Sequence, residues 1–174
     1  MAITKIQSES LNLADTYDFT GTVTGAGGVN TPAFLAYNSA SEDLVANTNQ
    51  KISFNAEVYD TDGAYDHSTN YRFTVPSGEA GKYYIKGHAL FYRDTNSYDR
   101  ARLYIYKNGS NTVQTYRSGN QISDNFNTLQ VSQVMNLSVG DYIEIYARVF
   151  DADINISSGG NASESFFCGY KIIE

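Results

Sequence analysis

The sequence predicts an all-β protein: a sandwich of two antiparallel sheets with about ten strands. Two observations from residue 33 onward support this fold class. Short runs of alternating apolar and polar residues recur, with turn-forming residues between them, and no segment there has the 3.6-residue period of an amphipathic helix. The 174 residues suffice for one domain and a short extension. We expect an extended N-terminal arm at residues 1–32 and the sandwich at residues 33–174.

The composition excludes several classes of protein. The chain has 12 Lys and Arg against 19 Asp and Glu, a net charge of -7, and its basic residues form no cluster along the sequence. A nucleic-acid partner requires a concentrated basic face, so we expect none. No apolar run approaches the roughly 18 residues of a membrane span. The single cysteine, Cys168, excludes an intrachain disulfide and a thiolate zinc cluster, and we expect it to be a small buried thiol.

Residues 1–32 differ from the rest of the chain. Residues 20–24 alternate like a strand, and the glycine-rich residues 25–28 follow them. Farther upstream the apolar residues fit a helical stripe as well as a strand, so the sequence leaves that choice open. The segment is a frayed terminus or a linker, or else an arm that becomes ordered on another molecule. The candidate anchor residues of the arm are Ile3, Ile6, Leu11, Leu13, Tyr17, Phe19 and Val23.

Four strands are predicted in the first half of the sandwich. They lie at residues 33–37, 52–58, 71–75 and 83–92. Pro76 ends the third strand because proline has no amide hydrogen to donate to a neighbouring strand. The fourth strand has the clearest alternation. Its expected core face consists of Tyr83, Ile85, Gly87, Ala89 and Phe91.

The second half contains a hairpin and three further strands. Residues 102–106 lead into Asn108-Gly109, a strong hairpin signal because both residues accept a positive φ, and residues 112–116 form the return strand. The last strands are marked by Leu129, Val131, Gln133 and Met135, by Ile143, Ile145, Ala147 and Val149, and by residues 166–173. Tryptophan is absent, so the buried Cys-Trp-Cys arrangement of immunoglobulin domains is missing. A jelly roll is therefore favoured.

Several short motifs follow one another in a recognisable order. They include Phe-Thr-Val-Pro at 73–76, Gly-Lys-Tyr-Tyr-Ile at 81–85, Leu-Ser-Val-Gly-Asp at 137–141 and Ser-Phe-Phe-Cys-Gly-Tyr at 165–170. Their order and approximate spacing resemble the complement 1q globular-head family of the tumour necrosis factor superfamily, over about residues 33–173. The intervals on either side of Phe73 are slightly long for the family. The resemblance implies a ten-strand jelly roll that assembles as a trimer and binds proteins, sugars or lipids.

Tyrosine is unusually frequent, with 15 residues. An aromatic ring that carries a hydroxyl suits a partly wet interface, and the family resemblance implies a homotrimer. The expected trimer contacts are Tyr84, Tyr92, Tyr104, Tyr106, Tyr142 and Tyr146. The alternative is that these tyrosines coat an exposed sheet face.

The sequence offers little for catalysis or metal binding. His67 and His88 are the only imidazole bases, and no nucleophile elbow, zinc-binding helix or phosphate-binding loop accompanies them, so we expect no enzyme. Asp60 and Asp62 begin like a calcium loop but lack its other ligands, which leaves solvated turn acids as the alternative to a calcium site. No other cofactor is expected. Further acids in predicted loops are Asp94, Asp99, Asp151 and Asp153.

The arm carries a second resemblance. Residues 3–15 and 19–23 are similar to the leaders of virion proteins from marine tailed bacteriophages. The lack of a signal peptide and of disulfides fits assembly in a host cytoplasm. Together the resemblances imply a virion protein: a trimeric knob, tethered by its arm to other virion proteins, that decorates a capsid or tail or adheres to a host-surface glycan or protein. The alternatives are a receptor- or carbohydrate-binding tip of a tail fibre and a bacterial surface adhesin.

Overall fold

The computed structural model describes residues 30–93, 98–122, 126–150 and 152–172. These residues form thirteen β-strands in two antiparallel sheets, which confirms the predicted all-β sandwich. Five of the strands are only two or three residues long, and alternation over so few residues gives little signal. The described residues include no helix, and therefore none of the length and apolarity needed to cross a membrane.

The first sheet has seven strands and is built around β7 (Gly81–Tyr92). β10 (Phe126–Leu137) pairs with β7 on one side, and β13 (Phe166–Lys171) pairs with it on the other. Beyond β13 the sheet continues with β1 (Ala33–Tyr37) and β4 (Ala56–Asp60). Two short strands complete it beside the last residues of β7: β2 (Glu42–Leu44) and β12 (Ile154–Ile156).

The second sheet has six strands, with β11 (Tyr142–Phe150) at its centre. On one side of β11 lies β8 (Tyr98–Lys107), which continues through a tight turn into β9 (Ser110–Ile122). Three short strands lie on the other side: β3 (Gln50–Lys51), β5 (Tyr65–Asp66) and β6 (Arg72–Thr74).

The core lies between the sheets, where the predicted alternation places it. Tyr83, Ile85, Ala89 and Phe91 of β7 are fully buried, as is Gly87 between them. At Gly87 the two sheets approach closely, since a Cβ there would lie 2.9 Å from Ile145 Cδ1 of the opposite sheet. The buried residues contributed by β11 include Ile143, Ile145, Ala147 and Val149. The core faces predicted for these two strands are therefore confirmed.

Stacked aromatic rings connect strands that are distant in sequence. The Phe34 ring stacks on Tyr65 and Phe73, with centroids 5.2 and 4.8 Å apart, and meets Phe167 edge-on at 4.8 Å. The Tyr65 hydroxyl donates a hydrogen bond to the Phe54 carbonyl oxygen at 3.0 Å. Burial raises the pKa of the Tyr65 hydroxyl well above its usual range, so Tyr65 remains a neutral donor. This cluster joins β1, β5, β6 and β13 across the sandwich.

The predicted strand at residues 52–58 is wrong in its extent. The chain forms β3 in the second sheet, crosses the core, and forms β4 in the first sheet. The crossing residues Ile52 and Phe54 are both fully buried, and the Ile52 amide donates to the Ile145 carbonyl oxygen at 2.9 Å. Apolar alternation therefore continues through a segment that changes sheets. Gln133 lies in β10, the strand that it was expected to mark, and it is exposed there.

The two ends of the sandwich differ. The base end, which holds the first described residues, contains Pro32, Gly81, Asn108, Asp141 and Lys171. The distal end contains Tyr92, Phe126 and Phe150. β7 runs from the base end to the distal end, and its 12 residues span about 36 Å between the two. At the base end the Lys171 amide donates to the Pro32 carbonyl oxygen at 3.0 Å, which holds the two ends of the domain together.

Candidate functional site

The outward side of the first sheet presents a row of aromatic rings, which we call the aromatic face. Tyr84 of β7 packs against Tyr170 of β13, with ring centroids 5.5 Å apart. Farther along the same strands His88 stacks on Phe166 at 5.0 Å, and Lys86 Nζ lies 5.3 Å from the Phe166 ring. Tyr170 and Tyr84 are direct cross-strand partners, as are Phe166 and His88. The register therefore aligns the rings of both strands on one face.

The aromatic face extends to β10. Phe126 stacks on Tyr92 at 4.7 Å at the distal end, and Val134 is the cross-strand partner of Tyr84 nearer the base end. Phe126 is 56% exposed and Val134 is 52% exposed. Exposed apolar residues on a continuous sheet face are typical of a surface that binds a partner.

Two polar groups on the aromatic face are partly buried. Cys168 is the cross-strand partner of Lys86 and is only half-buried on this face, so it differs from the small buried thiol that we expected. Partial burial raises the pKa of the Cys168 thiol. Burial also lowers the pKa of the His88 imidazole, whose Nδ1 lies 2.7 Å from the Glu164 carbonyl oxygen. Both groups therefore favour their neutral forms.

The outward side of the second sheet holds the other expected interface tyrosines. Tyr106 stacks on Tyr146 at 4.1 Å and meets Tyr104 edge-on at 6.0 Å, and Asn49 Nδ2 donates to the Tyr106 hydroxyl at 3.1 Å. Tyr142 lies on the same side, under the Arg72 guanidinium at 4.3 Å. Tyr104 is only 3% exposed, which leaves it little surface for a partner.

The six expected trimer contacts therefore lie on two opposite faces. Tyr84 and Tyr92 belong to the aromatic face, and the other four belong to the second sheet. A threefold ring joins two different patches of each subunit, so this division is compatible with a trimer. The roles of these tyrosines in a trimer stay predictions.

Three arginines surround Phe150 on the outward side of the second sheet, near the distal end. The guanidinium carbons of Arg100, Arg102 and Arg148 lie 4.5, 5.3 and 4.6 Å from the centroid of its ring. We call these four residues the arginine cluster. Arg102 and Arg148 are direct cross-strand partners, and Arg100 lies opposite Phe150. Sequence reasoning missed this cluster, although two arginines at alternate positions of one strand indicate a shared face.

The candidate calcium ligands are used within their own turn. The Asp60 carboxylate accepts hydrogen bonds from the amides of Asp62 and Tyr65 at 3.3 and 2.8 Å, and Asp62 accepts one from the Thr61 hydroxyl. Asp153 accepts a hydrogen bond from the Ala46 amide at 2.7 Å. In the described part of the chain, no three His, Cys, Asp or Glu side chains converge as a metal site. The side chains of Asp94, Asp99 and Asp151 lie outside it.

The second histidine faces solvent. His67 Nδ1 lies 2.6 Å from Glu57 Oε1, and the His67 side chain is half exposed.

The expected arm lies outside the described residues up to position 29. The same holds for all of its candidate anchor residues: Ile3, Ile6, Leu11, Leu13, Tyr17, Phe19 and Val23.

Several solved structures share this fold. The chain resembles the globular domain of the zebrafish complement 1qA protein, with 20% identity and a TM-score of 0.56 over 83% of this chain and 99% of that one. It resembles Eiger TNF from S. frugiperda, with 12% identity and a TM-score of 0.59 over 82% and 92% of the two chains. It also resembles murine APRIL at pH 5.0, with 14% identity and a TM-score of 0.59 over 80% and 98%.

A curated relative comes from a bacterium. The chain is 30% identical over 112 residues to the phage-like element PBSX protein XkdV of Bacillus subtilis (strain 168). The match covers 61% of this chain and 16% of XkdV, so the chain corresponds to a small part of that protein.

A family model described as the C1q domain matches residues 33–172. This range contains both sheets and all thirteen strands of the described structure. It also contains the motifs on which the sequence resemblance was based. The chain therefore belongs to the C1q domain family, and its fold is the jelly roll of the C1q and tumour necrosis factor superfamily.

Proposed function

We propose that this chain is a structural protein of a bacteriophage particle: a trimeric, non-enzymatic knob that residues 1–32 tether to other virion proteins. The observation that carries the proposal is the similarity to XkdV, which is named as a protein of a phage-like element. The C1q domain supplies a compact binding module, and the sequence of the arm resembles phage virion leaders. A role on the particle surface agrees with all three observations.

The position of the base end supports the tether. The arm joins the domain at Pro32, and the Lys171 amide holds that carbonyl beside the last strand. Residues 1–32 span at most about 100 Å when fully extended. The distal end of a knob held in this way faces away from the particle.

The aromatic face supports self-association. Val134, Phe126 and Tyr170 are exposed along its length, and Tyr84 and Phe166 lie between them in the sheet. A monomer would leave this surface in water, whereas a neighbouring subunit would cover it. We therefore infer that the aromatic face is one of the two patches that a threefold ring requires.

Deleting residues 1–28 tests the tether. The truncated protein is expected to remain a soluble trimer, because the C1q domain match begins at residue 33, but to lose attachment to purified particles in a sedimentation assay. A matched control keeps the length of the arm and replaces Ile3, Ile6 and Leu11 with serine, which separates apolar contact from reach. Attachment that survives the deletion would refute the tether. A truncated protein that no longer forms trimers would assign the arm to subunit assembly instead.

Counting copies per particle then locates the knob. Quantitative mass spectrometry of purified particles, with a major capsid protein as the internal standard, gives the number of copies of this protein per particle. Hundreds of copies would indicate decoration of the capsid, and a handful would indicate the tail. Absence of the protein from purified particles would contradict the proposed function.

A further inference from the structure

The arginine cluster concentrates positive charge on an acidic protein. Arg102 and Arg148 are direct cross-strand partners, and like charges in this position repel. The ion pairs among the described side chains include Lys51–Glu144, His67–Glu57, Lys107–Asp141 and Lys171–Glu79, and none of these four includes an arginine of the cluster. The cluster thus places three cations around one ring without a described carboxylate to neutralise them.

One atom of the cluster lacks a hydrogen-bond partner although it is buried. Arg148 Nε has less than 1 Å² of exposed surface and no hydrogen-bond partner in the part of the chain that the structure describes. Buried polar atoms in proteins nearly always have a partner, and a buried donor without one is costly. An oxyanion from outside the chain would reduce the repulsion between the arginines by accepting hydrogen bonds from the N–H groups of the cluster that reach solvent.

Phe150 explains why the arginines converge. The negative face of an aromatic ring attracts guanidinium groups, so the buried Phe150 ring holds three of them at 4.5 to 5.3 Å without forming an ion pair. Arg100 is exposed and Arg102 is half-buried, so the cluster opens to solvent. Guanidinium groups arranged in this way donate paired N–H bonds to carboxylate, sulfate or phosphate oxygens.

We propose that the arginine cluster is an oxyanion-binding site that takes one acidic group of a surface polysaccharide. Three arginines match a single oxyanion, whereas a nucleic acid would require a basic track that this chain of net charge -7 does not supply. The shared chemistry is the oxyanion, whether the sugar carries it as carboxylate, sulfate or phosphate. The assignment of a cell-surface partner rests on the proposed function, which directs the distal end away from the particle.

Calorimetric titration of the purified full-length protein at low salt tests the site. The probes are carboxylated, sulfated and phosphorylated oligosaccharides of equal length, a neutral oligosaccharide, and a single-stranded DNA of matched charge. At least one acidic oligosaccharide should bind and the neutral one should not, and the preferred acid identifies the source of the oxyanion. R102Q and R148Q should each weaken binding about tenfold, as expected for the loss of one charged hydrogen-bonding partner.

R72Q is the matched control. Arg72 also lies over one aromatic ring of the same sheet, Tyr142 at 4.3 Å, but on β6, away from the cluster. Affinity of R72Q should stay within about twofold of the original protein. R102Q should melt at the same or a higher temperature than the original without ligand, because it removes one of two repelling charges. Added acidic oligosaccharide should raise Tm in the original protein and in R72Q more than in R102Q.

Three results would overturn the proposal: no binding of any acidic oligosaccharide, equal losses in R72Q and R148Q, or tighter binding of DNA than of every oligosaccharide. These outcomes are independent of the particle-attachment assay. The site could therefore fail while the tether holds, or bind its oxyanion while the tether fails.

Discussion

Gly169 shows how one side chain would disturb this sandwich. It lies on the core side of β13, where an added Cβ would meet Ile85 Cδ1 at 2.8 Å, Phe34 Cε1 at 3.0 Å and the Tyr84 carbonyl oxygen at 3.0 Å. The carbonyl oxygen belongs to the paired strand β7 and cannot move without changing the sheet. The glycine thus allows the packing of Phe34 on the closing strand.

We expect G169A to lower the free energy of unfolding by about 1–3 kcal/mol through overpacking. Urea denaturation followed by fluorescence measures this loss. The control is G159A, whose Cβ would meet the end of the flexible Glu164 side chain, at 3.1 Å from Oε1, rather than a backbone atom. Equal losses in the two variants would show that the crowding at Gly169 is relieved elsewhere.

At the scale of elements, the base-end turns are locked to each other by side chains. Asn108 and Gly109 have φ values of 51° and 75°, as the hairpin signal predicts. Asn108 Nδ2 donates to Asp141 Oδ1 at 2.7 Å, and the Tyr142 amide donates to Asn108 Oδ1 at 2.9 Å. The β8–β9 hairpin is thereby fastened to the turn that precedes β11.

Asp141 also gives this connection a dependence on pH. Hydrogen bonds from Lys107, Asn108 and the Ser138 amide lower the pKa of Asp141 to about 2, with Lys107 the largest cause. Because the pKa of the folded state lies below that of the unfolded state, the stabilisation is complete above the ordinary value of 3.8 and is lost as the pH falls through about 2.

We expect D141N to lose about 1–2 kcal/mol of stability at pH 7, a value that allows for partial exposure of the pair. Denaturation curves at several pH values should show the variant and the original protein converging between about pH 4 and pH 2. D153N serves as the control and should change stability less, because Asp153 is exposed and accepts a single amide hydrogen bond. A difference that persists unchanged at pH 2 would contradict this account.

The elements that the sequence predicts well are those with a local physical cause. Alternation over the twelve residues of β7 and positive φ at Asn108-Gly109 both depend on neighbours in the chain. The division of residues 52–58 between two sheets depends on pairing with β11 and β1, which local alternation does not contain. The arginine cluster was missed for a similar reason, because Arg148 reaches Arg102 only through the register of β8 with β11.

At the scale of the whole molecule, two valines allow a matched test of self-association. Val134 and Val139 are each 52% exposed, but Val134 lies on the aromatic face, whereas Val139 lies in the turn before β11. A lysine buried in a subunit interface is costly, so V134K should dissociate the proposed trimer into monomers. V139K should leave it intact.

Size-exclusion chromatography with light scattering distinguishes monomer from trimer in both variants, and circular dichroism verifies that each remains folded. A monomeric original protein would count against the threefold assembly itself. A trimeric V134K would instead exclude Val134, and the part of the aromatic face around Tyr84, from the subunit contact.

The hydrogen bond between the Lys171 amide and the Pro32 carbonyl oxygen has a consequence for engineering the domain. A polypeptide fused behind residue 172 would emerge beside residue 32, on the side of the proposed tether. A short linker from residue 172 to residue 32 would instead circularise the domain. Opening the circular chain between residues 93 and 98 would give a circular permutant whose new termini lie at the distal end. On the proposed particle, the arginine cluster of such a variant would then face the particle instead of pointing away from it.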